Sequence, residues 1–264
     1  MSVQGYWADL PSAAFPDLPQ DTVAVLPLGA TEQHGPHLPL SVDSDLIGAV
    51  AERMLAALTP EQSVLVLPAL TITKSDEHIA FPGTLTLSAE TLLTVLREIG
   101  ASVARAGVTR LVLFNGHGGN SALLQVAARD LRLQHDLVVV CCSWGGFAEW
   151  RGKFDPDSYA HDIHAGDSET SAMLALRPER VDMTKAKNFR PAMMDWDSAF
   201  PQIGLGGKPA SPGWLAQDLN PHGACGNAAA ATADKGAALL DSAGRGFAAF
   251  LAEFARFDHR RARP

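Results

Sequence analysis

Cysteine and positive charge are both scarce in this chain. Three cysteines occur, Cys141 and Cys142 side by side in an apolar run and Cys225 alone. That spacing offers neither a disulfide framework nor a cysteine zinc site, and a reducing cytoplasm is the expected compartment. Lys and Arg number 21 against 29 Asp and Glu, a net charge of −8. Phosphate backbones demand a basic surface, so nucleic acid is not an expected partner. The basic run at residues 259–263 reads as a solvated terminus. No stretch reaches the roughly 18 apolar residues needed to cross a bilayer, so no membrane partner is expected. The opening residues, Met1 to Trp7, lack a basic segment followed by an apolar one, so no secretory signal is expected. Repeats and linker-like stretches are missing too, and one domain over residues 1–264 is expected. A dinucleotide fingerprint, Gly-x-Gly-x-x-Gly, is absent from the position after the first apolar run, where Gly29-Ala30-Thr31-Glu32-Gln33-His34 stands instead.

What is present is an ordinary globular balance, 47% hydrophobic and 19% charged over 264 residues, enough chain to bury a sizeable core. Short Val- and Leu-rich runs at 23–28, 64–70, 110–115 and 137–143 read as strands buried on both faces. Helical patterns at 44–58, 89–106 and 121–134 alternate with them. Further helices are expected at 167–176, 227–240 and 246–257, with a loop-like stretch at 190–225. The β-α-β-α order predicts an α/β fold, a three-layer α/β/α arrangement with a mainly parallel central sheet. Sites in such sheets form at the carboxyl ends of the strands, and the polar clusters sit there.

The densest cluster follows the first strand. Glu32, His34, His37, Asp43 and Asp45 fall within fourteen residues of one another. In an extended segment residues two apart point the same way, which aims Glu32 and His34 at one site. Asp43 stands at a helix start, where free amides favour a carboxylate. After the third strand comes Asn115-Gly116-His117-Gly118-Gly119-Asn120, whose glycines leave room for close approach to the histidine. A third cluster holds Asp162, His164 and Glu169, the last in the first turns of a helix. His, Glu and Asp without Cys suit zinc, manganese or iron(II). Glu77 and His78 read as a rim or an ordinary turn. Trp144, Trp150, Trp196 and Trp214 read either as core and interface residues or as the lining of a flat pocket. The stretch 204–208 is a weak candidate for a phosphate cradle.

Five motifs in order resemble the creatininase, or creatinine amidohydrolase, family. They are Leu28 to Pro39 with Asp43, His78 to Leu87, Asn115 to Asn120, His164 to Ser171, and Gly223-Ala224-Cys225-Gly226 before Ala231 to Gly236. The resemblance implies a creatininase-like fold and a cytoplasmic hydrolase with two divalent metal ions. By that analogy Glu32 and His117 hold one metal, His34 the other, Asp43 bridges them, and His164 transfers protons. In creatininase a Glu two residues after the equivalent of His117 completes the second metal site, and a Tyr lies between the two. This chain has Gly119 and Gly118 there, so Glu169 is expected to supply the missing carboxylate. The family's substrates imply hydrolysis of a C–N amide or lactam bond in a small molecule by a metal-activated water. Other branches trim a redox-peptide precursor of the mycofactocin type or deformylate a formylamino-pyrimidine nucleotide. The absent Tyr–Glu pair counts against creatinine itself. A catalytically silent metal-binding scaffold is the contrasting reading, and Glu32, Asp43, His117 and Glu169 argue against it. The resemblance also implies a homo-oligomer, often a hexamer.

Overall fold

Five strands, β1 (Gln4–Tyr6), β2 (Val23–Leu28), β3 (Val64–Val66), β4 (Arg110–Asn115) and β5 (Val138–Ser143), pair in parallel in the order β1-β3-β2-β4-β5. This computed structural model describes residues 2–205 and 207–262. Met1, Gly206, Arg263 and Pro264 lie outside the described residues, and with them parts of the opening segment, the stretch 204–208 and the basic tail. Eight α-helices are described: α1 (Val42–Ala57), α2 (Ala89–Arg105), α3 (Ser121–His135), α4 (Pro156–Tyr159), α5 (Asp167–Leu176), α6 (Met193–Ala199), α7 (Ala216–Leu219) and α8 (Ala233–Phe254). A two-residue ribbon pairs β6 (Asn188–Phe189) with β7 (Gly226–Asn227).

Alternation along the strands builds two cores, one on each face of the sheet. Val23, Val25, Val112 and Phe114 face a layer containing α1, α5 and α8, where Phe114 stacks on Phe247 at 3.9 Å. Ala24, Leu26, Leu28, Leu111 and Leu113 face α2 and α3. The expected three-layer α/β/α arrangement is therefore the observed one.

Three expectations change. The strand expected at 64–70 stops at Val66, because Pro68 cannot donate to a ladder. Pro27 is tolerated near the end of β2 for a related reason: it lies beyond the end of β3, and its carbonyl accepts from the Leu70 amide at 3.0 Å. The helices expected at 227–240 and 246–257 are one helix, α8, starting after Asn227 has joined β7. Its N-cap is Thr232, whose side chain accepts from the Lys235 amide. Edge strand β1 was not expected.

The topology fixes where a site can form. From β2 the chain crosses to β3 on one side of it, and β4 then adds on the other side. The crevice at the carboxyl ends of β2 and β4 is therefore a switch point, where loops diverge and leave room for ligands. Helix α1 presses into that crevice. A Cβ on Gly29 would sit 2.6 Å from Ser44 Cα, and one on Gly116 would sit 2.9 Å from the Asp43 carbonyl oxygen.

Candidate metal centre

Each loop at the switch point delivers a ligand-type side chain in a fixed orientation. The loop after β2 carries Glu32 and His34, both fully buried. Nδ1–H of His34 donates to the Glu32 carbonyl at 3.1 Å, which leaves Nε2 facing inward. The loop after β4 carries His117. The Asn115 side chain accepts from the His117 amide and donates to its carbonyl, which holds the loop. Nε2–H of His117 donates to the Lys74 carbonyl at 2.8 Å, leaving Nδ1 facing inward. Asp43 enters from the first turn of α1 and Glu169 from the first turn of α5. Glu169 Oε2 accepts from the Ala165 amide at 2.6 Å. Ala165 turns that amide inward by adopting φ +54°, a left-handed conformation costly for any residue with a Cβ.

The inward atoms converge. Nδ1 of His117 lies 3.1 Å from Glu32 Oε1 and 3.2 Å from Asp43 Oδ2, and Nε2 of His34 lies 3.4 Å from Asp43 Oδ1 and 3.7 Å from Glu169 Oε2. Among the described residues three sets offer ligand atoms within 4.8 Å of one another: Glu32, Asp43 and His117; His34, Asp43 and Glu169; and Glu32, His34 and His164. Donor atoms bound to one cation at about 2.0–2.2 Å lie roughly 3–4 Å apart, so the spacing fits. Both oxygens of Glu32, Nε2 of His34 and Oδ2 of Asp43 are sealed from solvent without a hydrogen bond. Buried acceptors left so are costly unless something binds them.

The electrostatics state the same demand. Burial and the Asp43 charge both raise the Glu32 pKa. Burial raises Glu169 to about 7, with Asp43 adding to the rise against the pull of His34. At Asp43 burial is outweighed by His34 and His117, and its pKa is lowered. Burial pulls His34 down, but Asp43, Glu169 and Glu32 together raise it to about 9; His117 is likewise raised, by Glu32 and Asp43. Two buried carboxylates and the half-buried Glu169 thus draw positive charge into the site, and a divalent cation supplies it with better geometry than a proton.

All six site residues expected from the sequence, Glu32, His34, Asp43, His117, Glu169 and His164, meet here. His37 does not: its Nε2 pairs with Thr170 Oγ1 and its ring stacks on Phe189. Asp45 accepts from Ser41 and stays outside. The four tryptophans do not form one pocket, since Trp144 and Trp150 pack together with Phe154 and Tyr159 nearby, whereas Trp196 lines a separate shallow cavity with Phe200, Ile203 and Pro212. Glu77 and His78 are not a rim but buried parts of the centre. His78 Nε2 lies 3.4 Å from Glu32 Oε1, and its ring packs on His164 at 4.5 Å. Glu77 lies over Gly119, where an added Cβ would come within 1.9 Å of Oε1. The signal for His78 lay in the His78–Leu87 motif itself, and Glu77 stands immediately before it.

The family model for Creatininase, described as creatinine amidohydrolase, matches residues 8–251. The chain belongs to the creatininase family. A mycofactocin precursor peptide peptidase of Mycobacterium ulcerans is 38% identical over 219 residues, covering 80% of this chain and 77% of that protein. A creatinine amidohydrolase of Pseudomonas putida is 36% identical over 197 residues, covering 69% and 74%. Two solved creatininases, one a manganese form and one a Zn-Zn form of a variant, each match with a TM-score of 0.72 at 30% identity, over 97% of this chain and 100% of theirs.

Proposed function

We propose that this creatininase-family chain is a metal-dependent amidohydrolase that cleaves a C–N amide or lactam bond in a small molecule. The observation that carries the reading is the shared carboxylate: Asp43 belongs to two ligand sets whose other members come from three different segments. In this reading Glu32 and His117 hold one divalent ion, zinc, manganese or iron(II). His34 and Glu169 hold the other, and Asp43 contributes to both. Bound there, the ions would polarise a substrate carbonyl and acidify a water.

The chain's own residues do the rest. Burial, His34 and His78 hold the His164 pKa well below its usual value, so its ring is neutral. It takes up the proton that water loses as its oxygen adds to the carbonyl carbon, and passes it to the leaving nitrogen as the C–N bond breaks. Gln33 and the Gly223 loop close one side of the histidine cluster and exclude water from it. A homo-oligomer is part of the reading: Trp196, Phe200, Ile203 and Pro212 leave an apolar cavity of about 210 Å³ at the surface.

A second reading, peptide trimming, is favoured by open ground at Gly118, where an added Cβ meets nothing within 4 Å. The testing experiment is hydrolysis of creatinine, formylamides and short peptides by metal-loaded protein, with Asp43→Asn as control. Turnover of a panel member, lost on chelation and in the variant, is expected. Undiminished hydrolysis by metal-free Asp43→Asn protein would overturn the proposal.

A further inference from the structure

Gln33 stands between two ligand-type residues and belongs to neither ligand set, yet its side chain is buried at the heart of the histidine cluster. Two backbone groups fix the orientation of its carboxamide. The Gly35 amide can only donate, so the atom 3.0 Å from it is Oε1. The Gly223 carbonyl can only accept, so the atom 2.9 Å from it is Nε2. The other hydrogen of Nε2 points at Nδ1 of His78, 2.7 Å away. Nδ1 of His78 is therefore an acceptor, and the neutral ring carries its proton on Nε2, 3.4 Å from Glu32 Oε1.

The backbone of the same residue fixes a second histidine. Nε2–H of His164 donates to the Gln33 carbonyl at 2.7 Å, which leaves the lone pair on Nδ1, 3.8 Å from the same Glu32 oxygen. Gln33 Nε2 also approaches His164 Nε2 at 3.2 Å, but the hydrogens on both nitrogens are committed elsewhere. Gly223 is required opposite: with φ +74°, its Cβ would fall 2.2 Å from Gln33 Oε1.

We propose that Gln33 is a positioning residue that gives His78 and His164 opposite faces toward the centre. His78 turns an N–H toward Glu32, 3.4 Å from its Oε1, and His164 turns a nitrogen without a hydrogen toward the same oxygen. Only the kinetic part of this proposal rests on the hydrolase reading above.

The test uses full-length, zinc-loaded protein with 15N-labelled histidine rings. Signals of His78 and His164 are identified by their loss in His78→Asn and His164→Asn. Both rings are expected to carry their proton on Nε2. Gln33→Glu keeps the acceptor for Gly35 but offers His78 no donor, so the His78 proton should move to Nδ1. Gln33→Met should lower kcat roughly 10²-fold, the scale of a misplaced acid–base group, with KM and metal content little changed. A wild-type ring protonated on Nδ1, or a His78 signal unmoved by Gln33→Glu, would overturn the proposal. Metal loss in Gln33→Met would also overturn it, making Gln33 a scaffold of the centre rather than a positioner. If the wild type hydrolyses nothing, the hydrolase reading fails, while the ring spectra still decide the role of Gln33.

Discussion

Asp43 points one carboxylate oxygen at each of two histidines: Oδ1 lies 3.4 Å from His34 Nε2, and Oδ2 lies 3.2 Å from His117 Nδ1. The first turn of α1 holds the carboxylate between loops that leave β2 and β4. Asp43→Asn replaces one acceptor oxygen with a donor and removes the charge. It should abolish binding at both positions, read as metal content after dialysis, and with it hydrolysis.

His164 has its lone pair toward the centre but lies farther from the carboxylates than His34 or His117, 3.8 Å from Glu32. His164→Ala should therefore retain metal and lose turnover by roughly 10²–10⁴-fold, the range of general acid–base catalysis. Paired metal analysis and kinetics check this. A variant stripped of metal would reassign His164 as a ligand.

Gly119 has no room for a side chain, since an added Cβ would lie 1.9 Å from Glu77 Oε1 and 2.4 Å from His117 Nε2. Gly119→Glu should therefore not restore a creatininase-type ligand. It should destabilise by about 1–3 kcal/mol, the usual cost of overpacking. Adding Glu77→Ala should return part of that stability, because it clears the nearest obstacle. Denaturant unfolding of the single and double variants measures the coupling.

Asp167 and Lys235 tie the start of α8 to the start of α5. Lys235 Nζ lies 2.7 and 2.6 Å from the two Asp167 oxygens and donates to the Ala230 carbonyl. Asp167→Ala leaves the half-buried ammonium unpaired and should cost about 2 kcal/mol. Because Glu169 shares that helix turn, metal binding should weaken as well. Thermal unfolding and metal titration of the variant report the two effects.

Much of this was legible along the chain because each ligand loop advertises itself. Glu32 and His34 follow an apolar strand at a spacing of two, and His117 sits among glycines at the end of another. The α/β alternation says which ends of the strands meet. His78 and Gln33 were not legible in the same way. Their roles depend on a carbonyl at Gly223, 190 residues from Gln33, and no local pattern encodes that meeting. The sequence pattern reads as two helices where the fold has the single helix α8, although glycine has poor helix propensity. In the fold, Gly244 and Gly246 serve close packing instead: added Cβ atoms would lie 2.5 Å from Arg53 Cβ and from the Phe147 carbonyl oxygen.

Glu169 completes the proposed two-ion centre, its Oε2 lying 3.7 Å from His34 Nε2. Metal content by mass spectrometry, on protein purified without chelators, tests it most directly when wild type and Glu169→Gln are compared. Close to two equivalents of zinc, manganese or iron in the wild type and close to one in the variant is the predicted result. A single equivalent in both proteins, or none after reconstitution, would contradict it.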